Sequence, residues 1–534
     1  MLHAVAVLLL VAANPAPGWQ ELKSVHFTLR TDLDPETAMQ AAVEIERTRA
    51  ALVAAMWPPL HEAGVESADI IVFRDRAEFE RYAGAGSRGI YSHSALPPRI
   101  ILWGAPDHWG QRMGEDTTVM LANEAQGASS SRPRRRPAPA AGQDELLVHL
   151  QVVKEGSSSV LLHEFSHHIA SAIYPRLPLW FSEGQAQFFE SLKLSEDGRK
   201  ATIGLVNPAA WMEYRRIRAI DVIDVLRWKT PFMGLSQSES MGLYGASWQL
   251  YQWLFTTHPT ELRCLQEQLA AHVDVAQGWA RCFPNLVADQ LGTALWEFSR
   301  NGTPRLVEIA VPPLGVEIKA RPLTEAELHL LHAQVALAAP KREDLLKEAA
   351  TELNRTLALD PASVGALQLL APLVSPQQRL DDARRAVDAH PEDGWAWLLL
   401  ADALWDTAGP AGERYRAYKR AVELLPDSPM VLARAAQNLL SRDQRPEALV
   451  LAERAAQLAP WNGEVLSIDA LALAAAGRCA EGFSVGKQAR ELLPPGDSGL
   501  SRTLAIGFSR ACPESAPADG GVTTGQREGA GGPR

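Results

Sequence analysis

Hydrophobic and polar positions divide the chain into stretches of different period. Between Trp19 and about Asp107 the pattern is mixed. HFTLRTD (His26–Asp32) alternates with period two and predicts a strand. Pro35–Met56 carries the 3.6-residue pattern of a helix, with its proline near the start. ADIIVFRD (Ala68–Asp75) is apolar through its centre and reads as a strand. RAEFERYAG predicts a short helix, and GIYSH and RIILWG (Arg99–Gly104) two more short strands. Residues 107–142 break the pattern: the run GASSSRPRRRPAPAAG has no apolar period and is expected to be a disordered basic insertion. From 143 to 304 the chain reads as mainly helical, and 305–324 as a proline-spaced, strand-like connector.

Beyond the connector the pattern repeats. Pro426, Pro460 and Pro494 are 34 residues apart, as are Ala436 and Ala470, and Ala455 and Ala489. WLLLADAL and LARAAQNLL read as first helices of such units, and YKRAVELLP, AERAAQLAP and GKQARELLP as second helices. Period, small residues and closing proline resemble the tetratricopeptide repeat over residues 325–512, in which each helix pair buries its apolar face only against its neighbours. The tail, 513–534, is poor in apolar residues and expected to be disordered.

Composition narrows the function classes. Of 534 residues, 46% are hydrophobic and 22% charged, the balance of a globular protein of several domains. A net charge of −11 argues against nucleic acid as partner, since phosphate binding needs a basic face. The apolar run Ala4–Ala13 is too short to span a bilayer and resembles a signal-peptide core. Residues 1–18 are therefore read as a signal peptide, with export to the periplasm or outside the cell. The alternative is a buried first strand in a cytoplasmic protein. No other segment is apolar enough to span a membrane. The four cysteines form no CxxC pair; Cys264 and Cys282 are close enough in sequence to close a small loop.

The chemistry is concentrated in VLLHEFSHHIASAIYPRLPLWFSEGQAQFFE, Val160–Glu190. His163-Glu164-Phe165-Ser166-His167 matches HExxH, which on a helix points two imidazoles along one face toward one ion. Glu164 then stands beside the metal as a carboxylate able to take a proton from water. His168 points about 100° away and is excluded as a ligand. The competing reading is two ordinary packed helices, but buried histidines and a buried glutamate need partners. Pro175 and Pro178 stop one helix and admit another. Counting the rise out to Tyr174 and back from Pro178 brings Glu183 level with His167, as third ligand of a His₂Glu site. Gly184 and Ala186 are expected to let these two helices approach. Glu190, two turns on, is a candidate hydrogen-bond partner for a ligand.

HEFSH followed by PLWFSEGQAQFFE resembles the gluzincin metallopeptidases, most nearly the bacterial peptidase-MA-like proteins. Their W-x-x-E-G-x-A pattern here falls on Trp180, Glu183, Gly184 and Ala186. The resemblance covers about residues 19–300. It implies an α+β zincin-like metallopeptidase domain, with a mixed α/β N-lobe and a helical C-lobe, ahead of the all-α tetratricopeptide-repeat solenoid. It also implies Zn2+ on His163, His167 and Glu183, Glu164 as general base, and hydrolysis of a protein or peptide substrate. A tyrosine from the helical lobe would serve the oxyanion: Tyr244, with Tyr251 as runner-up. RIILWG would be the edge strand that aligns a peptide, or else a plain interior strand. The chain departs from thermolysin-like and M1 enzymes in having only fifteen residues between His167 and Glu183, and it carries no GxMEN motif. A protein partner is expected on the repeats. The alternative function is an inactive peptidase-like scaffold that binds proteins or peptides.

Overall fold

The computed structural model describes residues 18–56, 67–84, 87, 89–92, 98–106, 110–112, 157–174, 177–216, 222–228, 237–271, 273–286, 288–339, 342–492 and 498–512. The expected signal peptide, nearly all of the basic insertion, and the tail lie outside these residues. The chain forms two compact units, Met1–Gly409 and Pro410–Arg534.

The first unit is built on a mixed six-stranded sheet. Its strands are β1 (Gln20–Lys23), β2 (Phe27–Thr31), β3 (Ala68–Phe73), β4 (Ile90–Ser92), β5 (Arg99–Trp103) and β11 (Lys319–Pro322), in the order β11-β1-β2-β3-β5-β4. β2, β3 and β5 run parallel; β1, β4 and β11 pair antiparallel with their neighbours. β3 is buried at every position, which is why its sequence is a continuous apolar run rather than an alternation. On one face Leu29, Ile70, Val72, Ile100 and Leu102 share a core with α1 (Pro35–Ala55) and the HExxH helix. On the other, Ile71, Phe73 and Ile101 pack with Trp19, with Phe79 and Tyr82 of α2 (Arg76–Ala83), and with Leu331 and Val335. Asp34 caps α1 by accepting from Thr37 N at 3.0 Å, ahead of Pro35.

Several boundaries differ from expectation. β5, the RIILWG strand, takes the interior alternative, between β3 and β4; among the described residues β4 is the last strand at that end. Gly110–Arg112, within the span read as an insertion, forms strand β6 and pairs with β7 (Ser157–Ser159). The lobe read as helical contains strands β8 (Lys193–Leu194) and β9 (Lys200–Ile203), and β10 (Val307–Ala310) pairs with β9. Residues 305–324 are thus no free connector, since β10 and β11 complete two sheets. These short strands bury few side chains, so their apolar signal is weak. Glu325–Ala338 starts at a reciprocal capping box between Thr324 and Glu327, and Leu331 and Val335 cover the main sheet. This burial ties the first post-connector helix to the N-terminal unit.

The second unit is helical and resembles a tetratricopeptide solenoid. Helices Ala411–Leu424, Pro429–Ser441, Arg445–Leu458, Gly463–Ala475, Cys479–Leu492 and Ser498–Ala511 follow one another through short turns. The 34-residue spacing has a packing reason: Ala421, Ala455 and Ala489 are all fully buried, as are Ala436 and Ala470. A larger side chain would hold the paired helices apart. A disulfide joins Cys479 to Cys512.

Candidate metal centre

Two helices carry the site. The first, α3 (Val160–Ile173), starts at Ser159, whose hydroxyl accepts from Leu162 N. Leu161, Phe165 and Ile169 face the core, which fixes the rotation of the helix and turns His163 and His167 to its partly exposed side. The second, α4 (Leu179–Phe189), follows Pro178 and is anchored by buried Trp180, Phe181, Phe188 and Phe189. Among the described residues, His163, His167 and Glu183 form the one group able to hold a metal ion. His163 Nε2 lies 3.2 Å from His167 Nε2 and 3.5 Å from Glu183 Oε2. His167 Nε2 lies 3.6 Å from the same oxygen. A tetrahedral zinc ion with bonds of about 2.0–2.1 Å spaces its ligands about 3.3 Å apart, so this triangle has the size of one face of its coordination shell.

The surrounding hydrogen bonds set the tautomers. His163 Nδ1 is 2.6 Å from Glu190 Oε1, and His167 Nδ1 is 3.1 Å from Ser182 Oγ. The Glu190 carboxylate only accepts, so His163 Nδ1 carries the proton between them, and where Ser182 Oγ accepts from His167 Nδ1 both Nε2 atoms present a lone pair. Glu183 Oε2 is buried without a hydrogen-bond partner. Two lone pairs and a carboxylate oxygen converging at this range repel one another unless positive charge lies between them. The titration tendencies agree. Burial disfavours the His163 cation, yet Glu183 and Glu190 outweigh it and hold its pKa well above the ordinary value. Burial pushes Glu183 up, but His167 and His163 bring it down to about 2. The residues fit a divalent cation.

Glu164 is 8% exposed and points toward the edge strand. A Cβ on Gly89 would lie 3.0 Å from Glu164 Oε1 and 2.8 Å from Val160 Cγ2, so a side chain at residue 89, just ahead of β4, would crowd the carboxylate and Val160. Burial raises the Glu164 pKa first; His163 and His167 pull it down, and Glu183 and Glu190 push it up again. Tyr91, on β4, lies parallel to the His167 ring at 6.2 Å. His168 is buried against Phe165, away from the triangle.

The two tyrosines separate. Both belong to α7 (Gln237–Thr257), which follows α5 (Pro208–Arg216) and α6 (Val222–Arg227). Tyr251 is a core residue, its hydroxyl accepting from Gln185 Nε2 at 3.3 Å and Gln266 Nε2 at 3.2 Å. Tyr244 sits edge-on to Trp228 with ring centroids 5.0 Å apart. Its pKa is raised by burial first and then by the carboxylates of Glu183 and Glu164. Gly184 does not serve the approach of α3 and α4, as the sequence suggested. A Cβ there would meet Ser247 O at 2.5 Å and Tyr251 Cβ at 3.2 Å, both on α7.

Glu190 has a second partner that the sequence reading missed. Asn207 Nδ2 donates to Glu190 Oε2 at 3.0 Å and to Gln187 O at 3.0 Å. Asn207-Pro208 is a legible helix start, but nothing in the sequence aims its amide at Glu190.

Residues 157–275 match a family described as "Protein of unknown function (DUF1570)". Comparison with curated proteins gives no match. Solved structures similar to the chain include MamA protein, at 15% identity and a TM-score of 0.24 over 31% of this chain and 91% of that one. TTC0263, a thermophilic TPR protein of Thermus thermophilus, matches at 19% identity and a TM-score of 0.28, over 34% of this chain and 98% of its own. YrrB, a TPR protein with an unusual peptide-binding site, matches at 13% and 0.24, over 30% and 93%.

Proposed function

We propose that the N-terminal unit is a zinc-dependent peptidase, with His163, His167 and Glu183 holding the ion. The observation that carries this reading is the triangle of 3.2, 3.5 and 3.6 Å between their ligand atoms. When bound, zinc supplies Lewis-acid polarisation of a carbonyl and acidifies water. The protein's residues do the rest. Glu164 takes a proton from the attacking water and delivers it to the departing amine. Tyr244 stays protonated, because its burial and the nearby carboxylates disfavour the phenolate, and it donates to the developing oxyanion. Glu190 and Ser182 hold the imidazoles in the tautomer that leaves Nε2 free. β4, which among the described residues pairs only with β5, offers its other edge to an extended peptide. The helical repeats recruit a protein partner.

Export is supported by the pairing of all four cysteines, Cys264 with Cys282 and Cys479 with Cys512, since disulfides persist in oxidising compartments. Among the described residues no helix is long and apolar enough to cross a membrane. Neither pair should react with a thiol probe until a reductant is added.

The deciding measurement is zinc per chain, by elemental analysis, in wild type and Glu183→Ala. Near-stoichiometric zinc in wild type, sharply reduced in the variant, is the expected result. A wild-type chain that retains no zinc after loading and removal of excess overturns the proposal. The second reading, a scaffold that binds proteins without turnover, is favoured by the solenoid-like helical unit. It predicts zinc binding without cleavage of any unfolded protein substrate.

A further inference from the structure

Asn207 lies outside both site helices, at the start of α5, and only 1% of its surface is exposed. Both of its amide N–H donors are committed, and its amide oxygen is engaged. Oδ1 accepts from Ala210 N at 3.3 Å, capping α5, while the main-chain oxygen accepts from Trp211 N. Because Oδ1 must face the helix N–H, the amide cannot flip, and Nδ2 must face the other way. There it donates to Gln187 O and to Glu190 Oε2, both at 3.0 Å. The other Glu190 oxygen receives the His163 Nδ1 proton at 2.6 Å. Glu190 also ties to the HExxH helix through its main chain, its carbonyl accepting from Ser159 N at 3.0 Å.

We infer that Asn207 is a positioning residue for the metal site. It acts through Glu190, by clamping the carboxylate so that His163 presents Nε2 to the ion. The inference rests on the zinc reading above. Glu190 is 5% exposed, so water is a poor substitute for the amide donor. Without that donor the carboxylate would turn to find another partner, and the imidazole would lose its fixed orientation. A group hydrogen-bonded directly to a ligating histidine, as Glu190 is, typically changes metal affinity about 10- to 100-fold, and Asn207, one hydrogen bond further out, commands a smaller share of it.

The test exploits the two ends of the amide. Asn207→Asp and Asn207→Ser each keep an oxygen to cap α5, and each removes the amide donor to Glu190, the serine hydroxyl being one bond shorter. Zinc affinity is measured on the full chain by competition with a chromogenic chelator, with circular dichroism as the check on folding. Both variants should bind zinc about 3- to 10-fold more weakly than wild type, below the loss from removing a direct partner of a ligand. Asn207→Asp should lose more, because it sets one carboxylate against another. If it fails to fold, Asn207→Ser decides. In a Glu190→Ala background the Asn207 substitutions should have little further effect, because the contact they remove is already gone. Affinity indistinguishable from wild type, within about twofold, for a folded Asn207→Ser chain overturns the inference. So does an undiminished loss in the Glu190→Ala background, which would mark Asn207 as structural only. A wild type that binds no zinc overturns the metal reading itself, whereas normal binding by wild type and variants alike removes only Asn207.

Discussion

Gly184 and Ser247 meet at a distance that no side chain could share: a Cβ on Gly184 would lie 2.5 Å from the Ser247 carbonyl oxygen. This contact seats α4, and with it Glu183, against the helix that carries Tyr244. Gly184→Ala forces backbone away from backbone. It should destabilise the first unit by about 1–3 kcal/mol, the range of an overpacked core. Zinc affinity should fall with it, because Glu183 adjoins the displaced residue. Thermal denaturation and chelator competition on the same variant check both effects; unchanged values in both would show that α4 and α7 can separate freely.

Glu164→Gln removes the proposed base and leaves the candidate ligand triangle. Zinc content should stay at the wild-type level while peptide hydrolysis falls about 10²- to 10⁴-fold. Elemental analysis beside cleavage of a fluorescent unfolded protein reads the two quantities separately. Loss of zinc in this variant would assign Glu164 a structural part in the site instead.

Tyr244 and Tyr251 should divide by kind of effect. Tyr244→Phe should lower kcat about 10²- to 10³-fold with KM little changed, as expected of a group that bonds the transition state alone. Tyr251→Phe strands the Gln185 and Gln266 amides, since its hydroxyl is their shared acceptor. Its cost should appear as about 1–3 kcal/mol of stability, with kcat near wild type. Steady-state kinetics and urea denaturation of both variants test the division; a kcat loss confined to Tyr251→Phe would reverse the assignment.

In the helical unit, Asp469 is 5% exposed, and its pKa is pushed up to about 6, by burial first and then by Glu453. The folded chain therefore binds the Asp469 proton more tightly than the unfolded chain does. The associated stability is present below about pH 4 and is lost as pH rises from about 4 to 6, then stays lost. Asp469→Asn should be more stable than wild type above about pH 6, by on the order of 2 kcal/mol, and the gain should vanish toward about pH 4. Denaturant midpoints of both chains across this range and up to about pH 8 give the difference curve; a gain that grows on acidification would contradict this sign.

The sequence alone determined the local features. The HExxH spacing places two imidazoles on one helical face because four residues make about one turn. The proline pair after Tyr174 and the apolar flanks of Glu183 made the second helix and its level legible, since rise per residue is a fixed length. The 34-residue recurrence of alanine and proline was equally readable, because repeats contact only their neighbours.

Only the tertiary structure decided the rest. The short strand Lys319–Pro322 owes its existence to Gln20–Lys23, although most of the first unit separates them in sequence. That Gly184 accommodates α7 rather than α3, that Tyr251 is bonded to two glutamines, and that Asn207 reaches Glu190 all depend on how helices distant in sequence pack. Periodicity reports which face of an element is buried. It carries no record of which element buries it, and that choice positions every group around the three ligands.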